Sequence, residues 1–285
     1  MYPDFLCIGA LKSGTTWLYH NLRIQPEIRM TPVKELHYFN NPTQVPNIIR
    51  IFKKKWMLSQ LKQSTYCCLH EKRYSQIGWF LRFYFFRRND RWYSSLFSCD
   101  LGQKVGEVTP TYSILEEKSV ARIYGLMPNV RIIYLLRNPI IRTWSEIAMY
   151  YQNRGRLLKN IRDDELFKFL QTGWGSRNSN YIGNLQTWEK FYPKTNFFIG
   201  FYDQLAENPR DFIRSIYNFL EVDSSENLIP DTVHIKRNSH KYPEIPIRFS
   251  SYLAHKYYDQ IERLHRRFEN RYTADWLKFA ERVLS

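Results

Sequence analysis

The stretch GALKSGTTW, residues 9 to 17, places a lysine and three hydroxyl side chains directly after the apolar run FLCI. A strand that turns tightly into a helix gathers unpaired backbone N–H groups at the positive end of the helix dipole, which makes an anion site. Lys12, Ser13, Gly14, Thr15 and Thr16 occupy that turn. In the ATP-binding pattern GxxxxGK(S/T) the lysine follows the last glycine, and a magnesium-ligating hydroxyl follows the lysine. Here the order is Lys-Ser-Gly-Thr-Thr. A phosphate-like ligand is expected, ATP hydrolysis with Mg²⁺ is disfavoured, and no metal is required.

The elements that must position this turn follow from hydrophobic periodicity. Short apolar runs alternate with segments of helical period, the pattern of a parallel sheet covered by helices. FLCIG (5 to 9) reads as a buried strand and TTWLYHNLRI (15 to 24) as the helix after it. RIIYLL (131 to 136) is a second strong strand, leading into a helix from about Pro139 to Tyr151 with the proline suited to a first helical turn. NFFIGFY (196 to 202) is a third strand, and helices are expected at 116 to 126, 178 to 191 and 209 to 220. Near the C-terminus Leu253, Tyr257, Ile261, Leu264 and Phe268 mark one apolar helix face, with Arg263, Arg266 and Arg267 opposite. Residues 42 to 104 interleave aromatics with arginine, among them Trp79, Arg82, Phe83, Arg87, Arg88 and Trp92. Such a segment either stacks on bases or sugars, or packs as an amphipathic insertion on its own domain.

Two motifs in order make a resemblance specific. KSGTTW is similar to the 5′-phosphosulfate loop of the sulfotransferases that use 3′-phosphoadenosine 5′-phosphosulfate (PAPS), in the form seen in the cytosolic branch. RIIYLLRNPIIRTWS, residues 131 to 145, resembles the family's 3′-phosphate site, with Arg137 after the strand and Ser145 on the following helix. A guanidinium fork fits a phosphate, and the serine adds a hydroxyl donor. Further segments resemble the heparan-modifying and bacterial branch. KELHYF (34 to 39) is similar to the segment that supplies a catalytic glutamate, and GEVTPTY (106 to 112) to the one that lines the acceptor cleft. SNYIGNLQTWEKF (179 to 191) resembles the helix beyond the 3′-phosphate site, and HIKRNSHKYPEIP (234 to 246) the late basic loop over the nucleotide. The likeness covers most of the chain apart from roughly residues 42 to 90.

The resemblance implies an α/β fold, a central parallel sheet flanked by helices of the P-loop NTPase-like sulfotransferase type. It implies a single domain over residues 1 to 285, with about 42 to 104 as a helical, aromatic insertion on the acceptor side. The implied reaction moves a sulfuryl group from PAPS to a hydroxyl or amine, leaving 3′-phosphoadenosine 5′-phosphate (PAP). Such a transfer needs charge stabilised on the leaving phosphate and a proton removed from the acceptor. Lys12 is expected in the first role and Glu35 in the second, a carboxylate being a competent base when partly desolvated. His37, two residues on, faces the same side of an extended segment, where it can orient Glu35, bind the acceptor or replace Glu35 as base. Trp17 resembles a tryptophan that stacks on adenine, with core packing as the other reading. Lys236 and Arg237 are expected at the nucleotide phosphates, and Glu107, Thr109 and Tyr112 at the acceptor. Heparan-modifying relatives tend to carry a lysine where this chain has Val108, and they have a late disulfide that cannot form here, the last cysteine being Cys99. A small-molecule or lipid acceptor, or a glycan other than heparan sulfate, is expected instead.

Composition sets the remaining bounds. Hydrophobic residues at 44% and aromatics at 17% exclude a disordered chain. A net charge of +15 spread along the sequence points to an anionic ligand or partner. A nucleotide or nucleic-acid binding protein would share that charge, but it has no need to pair Arg137 and Ser145 with a lysine loop, so no nucleic-acid partner is expected. Four cysteines without CxxC spacing suggest neither a zinc site nor a disulfide framework, and a reducing compartment fits. The most apolar window, GWFLRFYFF, is short and contains Arg82, so no transmembrane helix is encoded. Without a signal peptide the expected location is cytoplasmic, or Golgi-luminal or membrane-associated if the chain has been trimmed.

Overall fold

The FLCIG run forms strand β1, Phe5–Gly9, buried along its whole length. A computed structural model describes residues 1–40, 75–171, 174–236 and 244–285. The other strands are β2 (Ile28–Met30), β3 (Lys104–Val108), β4 (Arg131–Leu136) and β5 (Phe197–Phe201). All five are parallel and lie in the order β2-β3-β1-β4-β5. Unbroken apolar runs suit strands that are covered on both faces. Alternate residues serve the two faces. Leu6, Ile8, Ile132, Tyr134 and Leu136 belong to one core cluster, while Phe5, Cys7, Ile133 and Leu135 belong to another.

The second cluster is closed by α1 (Thr15–Leu22) and by α10 (Pro209–Leu220), through Trp17, Leu18, Phe212 and Ile216. The first and larger cluster is closed by α2 (Ser75–Phe85), α3 (Asp90–Ser95), α4 (Glu117–Leu126), α5 (Pro139–Gln152), α6 (Asp163–Gln171), α8 (Tyr181–Glu189), α11 (Ile247–Phe268) and α12 (Arg271–Leu284). Short helices α7 (Trp174–Ser179) and α9 (Tyr202–Glu207) complete the described elements used below. The chain leaves β1 toward β2 and leaves β4 toward β5. The carboxyl ends of β1 and β4 therefore flank the point where strand order reverses, the usual ligand crevice of an open parallel sheet.

The expected strands and helices at 5 to 9, 15 to 24, 116 to 126, 131 to 136, 139 to 151, 196 to 202 and 209 to 220 are present with ends shifted by a residue or two. Periodicity missed β2 and β3. Strand β2 is three residues long, and β3 carries Gly106, where a Cβ would stand 2.2 Å from the Phe5 ring. The single helix expected over 178 to 191 is two, because Asn180 starts α8 afresh by accepting from the Gly183 N–H at 3.3 Å. Helix α12 was also missed; it opens on Asn270, which accepts from the Thr273 N–H at 3.0 Å, and packs on α11. In the aromatic segment Trp79, Phe80, Trp92, Tyr93 and Phe97 are buried in the larger cluster, so the described part packs on the sheet domain. Residues 42 to 74 of the expected insertion lie outside the described residues. Among the described residues, no helix is long and apolar enough to cross a membrane.

Candidate functional site

The turn after β1 is built from backbone that few sequences adopt. Lys12 has φ +69° and Gly14 φ +90°, and a Cβ on Gly14 would stand 3.0 Å from Leu205 Cδ1 on α9. The Ser13 N–H bonds the Ala10 carbonyl at 3.2 Å, and the Ala10 N–H bonds Leu135 O at 2.8 Å, tying the turn to β4. Among the described residues no side chain caps α1, so a bound anion can cap it. Arg137, directly after β4, donates from Nη1 to the Lys12 carbonyl at 3.0 Å, and its guanidinium lies 4.3 Å over the Tyr202 ring. Lys12 Nζ rests 3.7 Å from Met149 Sδ on α5. Burial, helped by the Arg137 charge, pulls the Lys12 ammonium down to about 8, and burial also lowers Arg137. Two partly desolvated cations side by side favour an anion between them. Ser13 and Thr109 bring buried hydroxyls to the same strand ends; that of Ser13 meets the Tyr181 hydroxyl, and that of Thr109 has no hydrogen-bond partner among the described residues.

Ser145 lies two turns into α5 and is 5% exposed. Its turn is braced by the fully buried Arg142, which donates to Glu146 Oε2, Ser179 Oγ and the Gly175 carbonyl, each at 2.8 Å. Tyr181 completes the brace by donating to the Arg137 carbonyl at 2.9 Å.

Glu35 and His37 sit beside this crevice on a segment that is neither helix nor strand. Both have positive φ, +67° and +52°. Non-glycine residues hold that conformation only when the surroundings impose it, and such strain gathers at working sites. The Glu35 N–H bonds the Val108 carbonyl at 3.0 Å, and the Tyr112 hydroxyl accepts from the Tyr38 N–H at 2.9 Å. Tyr38 stacks on Tyr93 with centroids 4.7 Å apart and donates to Asp90 Oδ1 at 2.7 Å. His37 Nε2 is 3.4 Å from Glu35 Oε2; its Nδ1 is 3.0 Å from Asn40 Oδ1 and 3.1 Å from Thr111 Oγ1. The Lys34 ammonium pairs with the other Glu35 oxygen. Burial works to raise the Glu35 carboxyl, but the His37 hydrogen bond and the Lys34 charge outweigh it and hold it at about 2, so desolvation does not strengthen Glu35 as a base in the way the sequence led us to expect.

The structure thus brings Lys12, Ser13, Gly14, Thr15, Thr16 and Arg137 to the strand ends, with Ser145 two turns along the helix that follows β4 and Glu35 and His37 as a contacting pair. Burial corrects the expectation for Glu107, Thr109, Tyr112 and Trp17. Glu107, Thr109 and Tyr112 are at most 1% exposed and line no open cleft; of the three, Tyr112 braces the 35–40 segment from beneath, through the Tyr38 N–H. Burial raises the Glu107 carboxyl to about 8, with the Tyr112 and Tyr93 hydroxyls offsetting part of the rise. Trp17 is a core residue, packed against Phe212, and its Nε1–H donates to the Val233 carbonyl at 2.7 Å. Lys236 is exposed, and Arg237 lies outside the described residues. Sequence reasoning missed Lys34, Asn40, Thr111, Met149 and Tyr202, each of which holds a site residue. Lys34 and Asn40 flank Glu35 and His37 within six positions, so their proximity was a usable signal; the other three had none.

Comparison with known proteins adds a common origin to this geometry. The family model described as "Sulfotransferase domain" matches residues 2–241. A heparan sulfate glucosamine 3-O-sulfotransferase 6 from Mus musculus is 23% identical over 223 residues, covering 77% of this chain and 52% of that protein. A membrane-associated sulfotransferase from Dictyostelium discoideum is 28% identical over 144 residues, 50% of this chain and 22% of its own length. The chain spans about half the length, or less, of these relatives. The crystal structure of a sulfotransferase from Alicyclobacillus acidocaldarius superposes with a TM-score of 0.67 at 20% identity, over 97% of this chain and 99% of that one, and has the same fold.

Proposed function

The chain belongs to the sulfotransferase family, and from that premise we propose that it moves the sulfuryl group of PAPS to a hydroxyl or amine of an acceptor. One observation carries the reading: Lys12 and Arg137, at the ends of neighbouring strands, are joined through the Lys12 carbonyl and held partly desolvated around the crevice. The buried hydroxyls of Ser13 and Thr109 and the uncapped start of α1 fit the oxygens of a phosphosulfate. PAPS, when bound, supplies a sulfuryl group already activated by its phosphate leaving group. The Lys12 ammonium and the N–H groups at the start of α1, from Gly14 to Thr16, stabilise negative charge at the loop. Arg137 and Ser145 hold the 3′-phosphate. The proton of the acceptor passes to the Glu35–His37 pair, whose facing atoms are 3.4 Å apart, and Lys34, Asn40 and Thr111 fix the orientation of the pair.

The acceptor class is a small molecule, a lipid or a glycan other than heparan sulfate. Val108, buried in the core, puts no cation where heparan-modifying relatives tend to carry one. Lys236 and Arg237 contribute charge over the nucleotide, and the reaction proceeds without a metal. We place the protein in the cytoplasm.

Calorimetry tests the donor site. PAP binds without metal, and adenosine 5′-phosphate binds far more weakly. Loss of a charge-assisted phosphate contact costs roughly 1.5 to 3 kcal/mol, so Arg137→Ala should erase about 10- to 150-fold of that preference. Equal affinity of the wild-type protein for the two nucleotides overturns the assignment.

A further inference from the structure

Helix α2 carries two apolar faces. Trp79 and Phe80 are buried in the core, and Phe83 and Tyr84 pack beside them. On the opposite side Leu81 and Phe85, one turn apart, are 47% and 62% exposed, and Phe86 just past the helix end is 61% exposed. A surface helix normally turns polar residues outward, so an outward stripe of Leu and Phe marks a contact surface. The charge around the stripe is one-sided. Arg87, Arg88 and Arg91 are exposed next to it, and Arg88 is held over the Trp92 ring at 4.9 Å. Asp90, the one acid from Ser75 to Ser95, is already paired with Arg122 on α4.

We propose that the Leu81–Phe85–Phe86 stripe and its flanking arginines dock this protein on an anionic lipid surface. Apolar side chains with arginines at one end match the boundary between acyl chains and anionic headgroups, where rings and aliphatic chains enter the boundary and guanidinium groups meet phosphates. The stripe is also rigidly joined to the candidate site. Tyr38, next to His37, stacks on Tyr93 of α3 and bonds Asp90, and the Trp92 Nε1–H donates to the Arg82 carbonyl of α2 at 2.8 Å. Docking therefore fixes the 35–40 segment relative to the lipid plane.

Sedimentation of the full chain with phosphatidylcholine vesicles, with and without phosphatidylserine, tests this independently of any transferase activity. Binding is expected to the phosphatidylserine vesicles and to weaken as salt rises. Phe85→Ser with Phe86→Ser should reduce partitioning at least about tenfold. Arg87→Gln and Arg91→Gln should each cost about fivefold, the loss of one near-surface cation. Thermal melts and PAP binding matching wild type show that the variants stay folded. No binding to anionic vesicles overturns the proposal, and so does binding that the four substitutions leave unchanged. A patch-dependent dimer in light scattering without vesicle binding overturns it in favour of a second copy of the chain.

Discussion

The turn after β1 and the 35–40 segment lie at the same end of the sheet but are built in opposite ways. The turn is local: β1, Lys12 to Thr16 and α1 are consecutive, and hydrogen bonds from Ser13 and Ala10 close it within the sheet. The 35–40 segment has no regular structure and takes its shape from distant partners, namely the Val108 carbonyl, the Tyr112 hydroxyl, Thr111 and Asp90. An anion site needs only converging backbone donors and nearby cations, which a strand–turn–helix supplies by itself. A proton-accepting pair needs two side chains at a set distance in a set environment, and only packing fixes that.

If the two regions divide the work in this way, substitutions should separate binding from turnover. The largest effect is expected at the pair. Glu35→Gln should lower turnover by about 10² to 10⁴-fold while PAP affinity stays at the wild-type value. His37→Ala should match it if the two act as a unit; single-turnover rates of both variants decide. Retention of more than about a tenth of wild-type turnover by Glu35→Gln would move the role to His37. Next is Lys12→Ala, with a loss of about 10² to 10³-fold in rate. Unlike the pair variants, it should also weaken PAP in calorimetry, because the ammonium contacts the ground state as well.

The scaffold offers a smaller test of the same contrast. Tyr112→Phe removes the acceptor of the Tyr38 N–H and should cost about 1 to 3 kcal/mol in urea unfolding. Turnover should drop several-fold with PAP affinity unchanged, and a fall in PAP affinity would mean the two regions are mechanically one. The smallest effect is a pH dependence at Glu107. Its carboxyl is raised from an ordinary 4.5 to about 8, so the folded state holds a proton that the unfolded state has released. That contribution to stability is fully present below about 4.5, declines as pH rises from there, and is gone above about 8. Glu107→Gln should flatten this part of the stability–pH curve; an unchanged curve would mean that Glu107 is ionised in the folded protein.

Much of the fold was legible because unbroken apolar runs such as RIIYLL suit a strand buried on both sides, and Pro139 marks where α5 begins. Strand β3 was not, since Gly106 is there to clear the Phe5 ring, a contact between strands separated by a hundred positions of chain. The KSGTT turn, its order of lysine and glycine, and the Arg137–Ser145 spacing were determined by sequence alone, because each is a property of adjacent residues on one strand–turn–helix unit. Tertiary structure alone decided that Trp17 fills the core, that Glu107 is buried and Tyr112 braces the 35–40 segment from beneath, and that Thr111 and Asn40 share the His37 ring. Burial and side-chain distance depend on which segments meet across the sheet. No pattern along the chain encodes which of two chemically suitable residues will face the crevice and which will face the core.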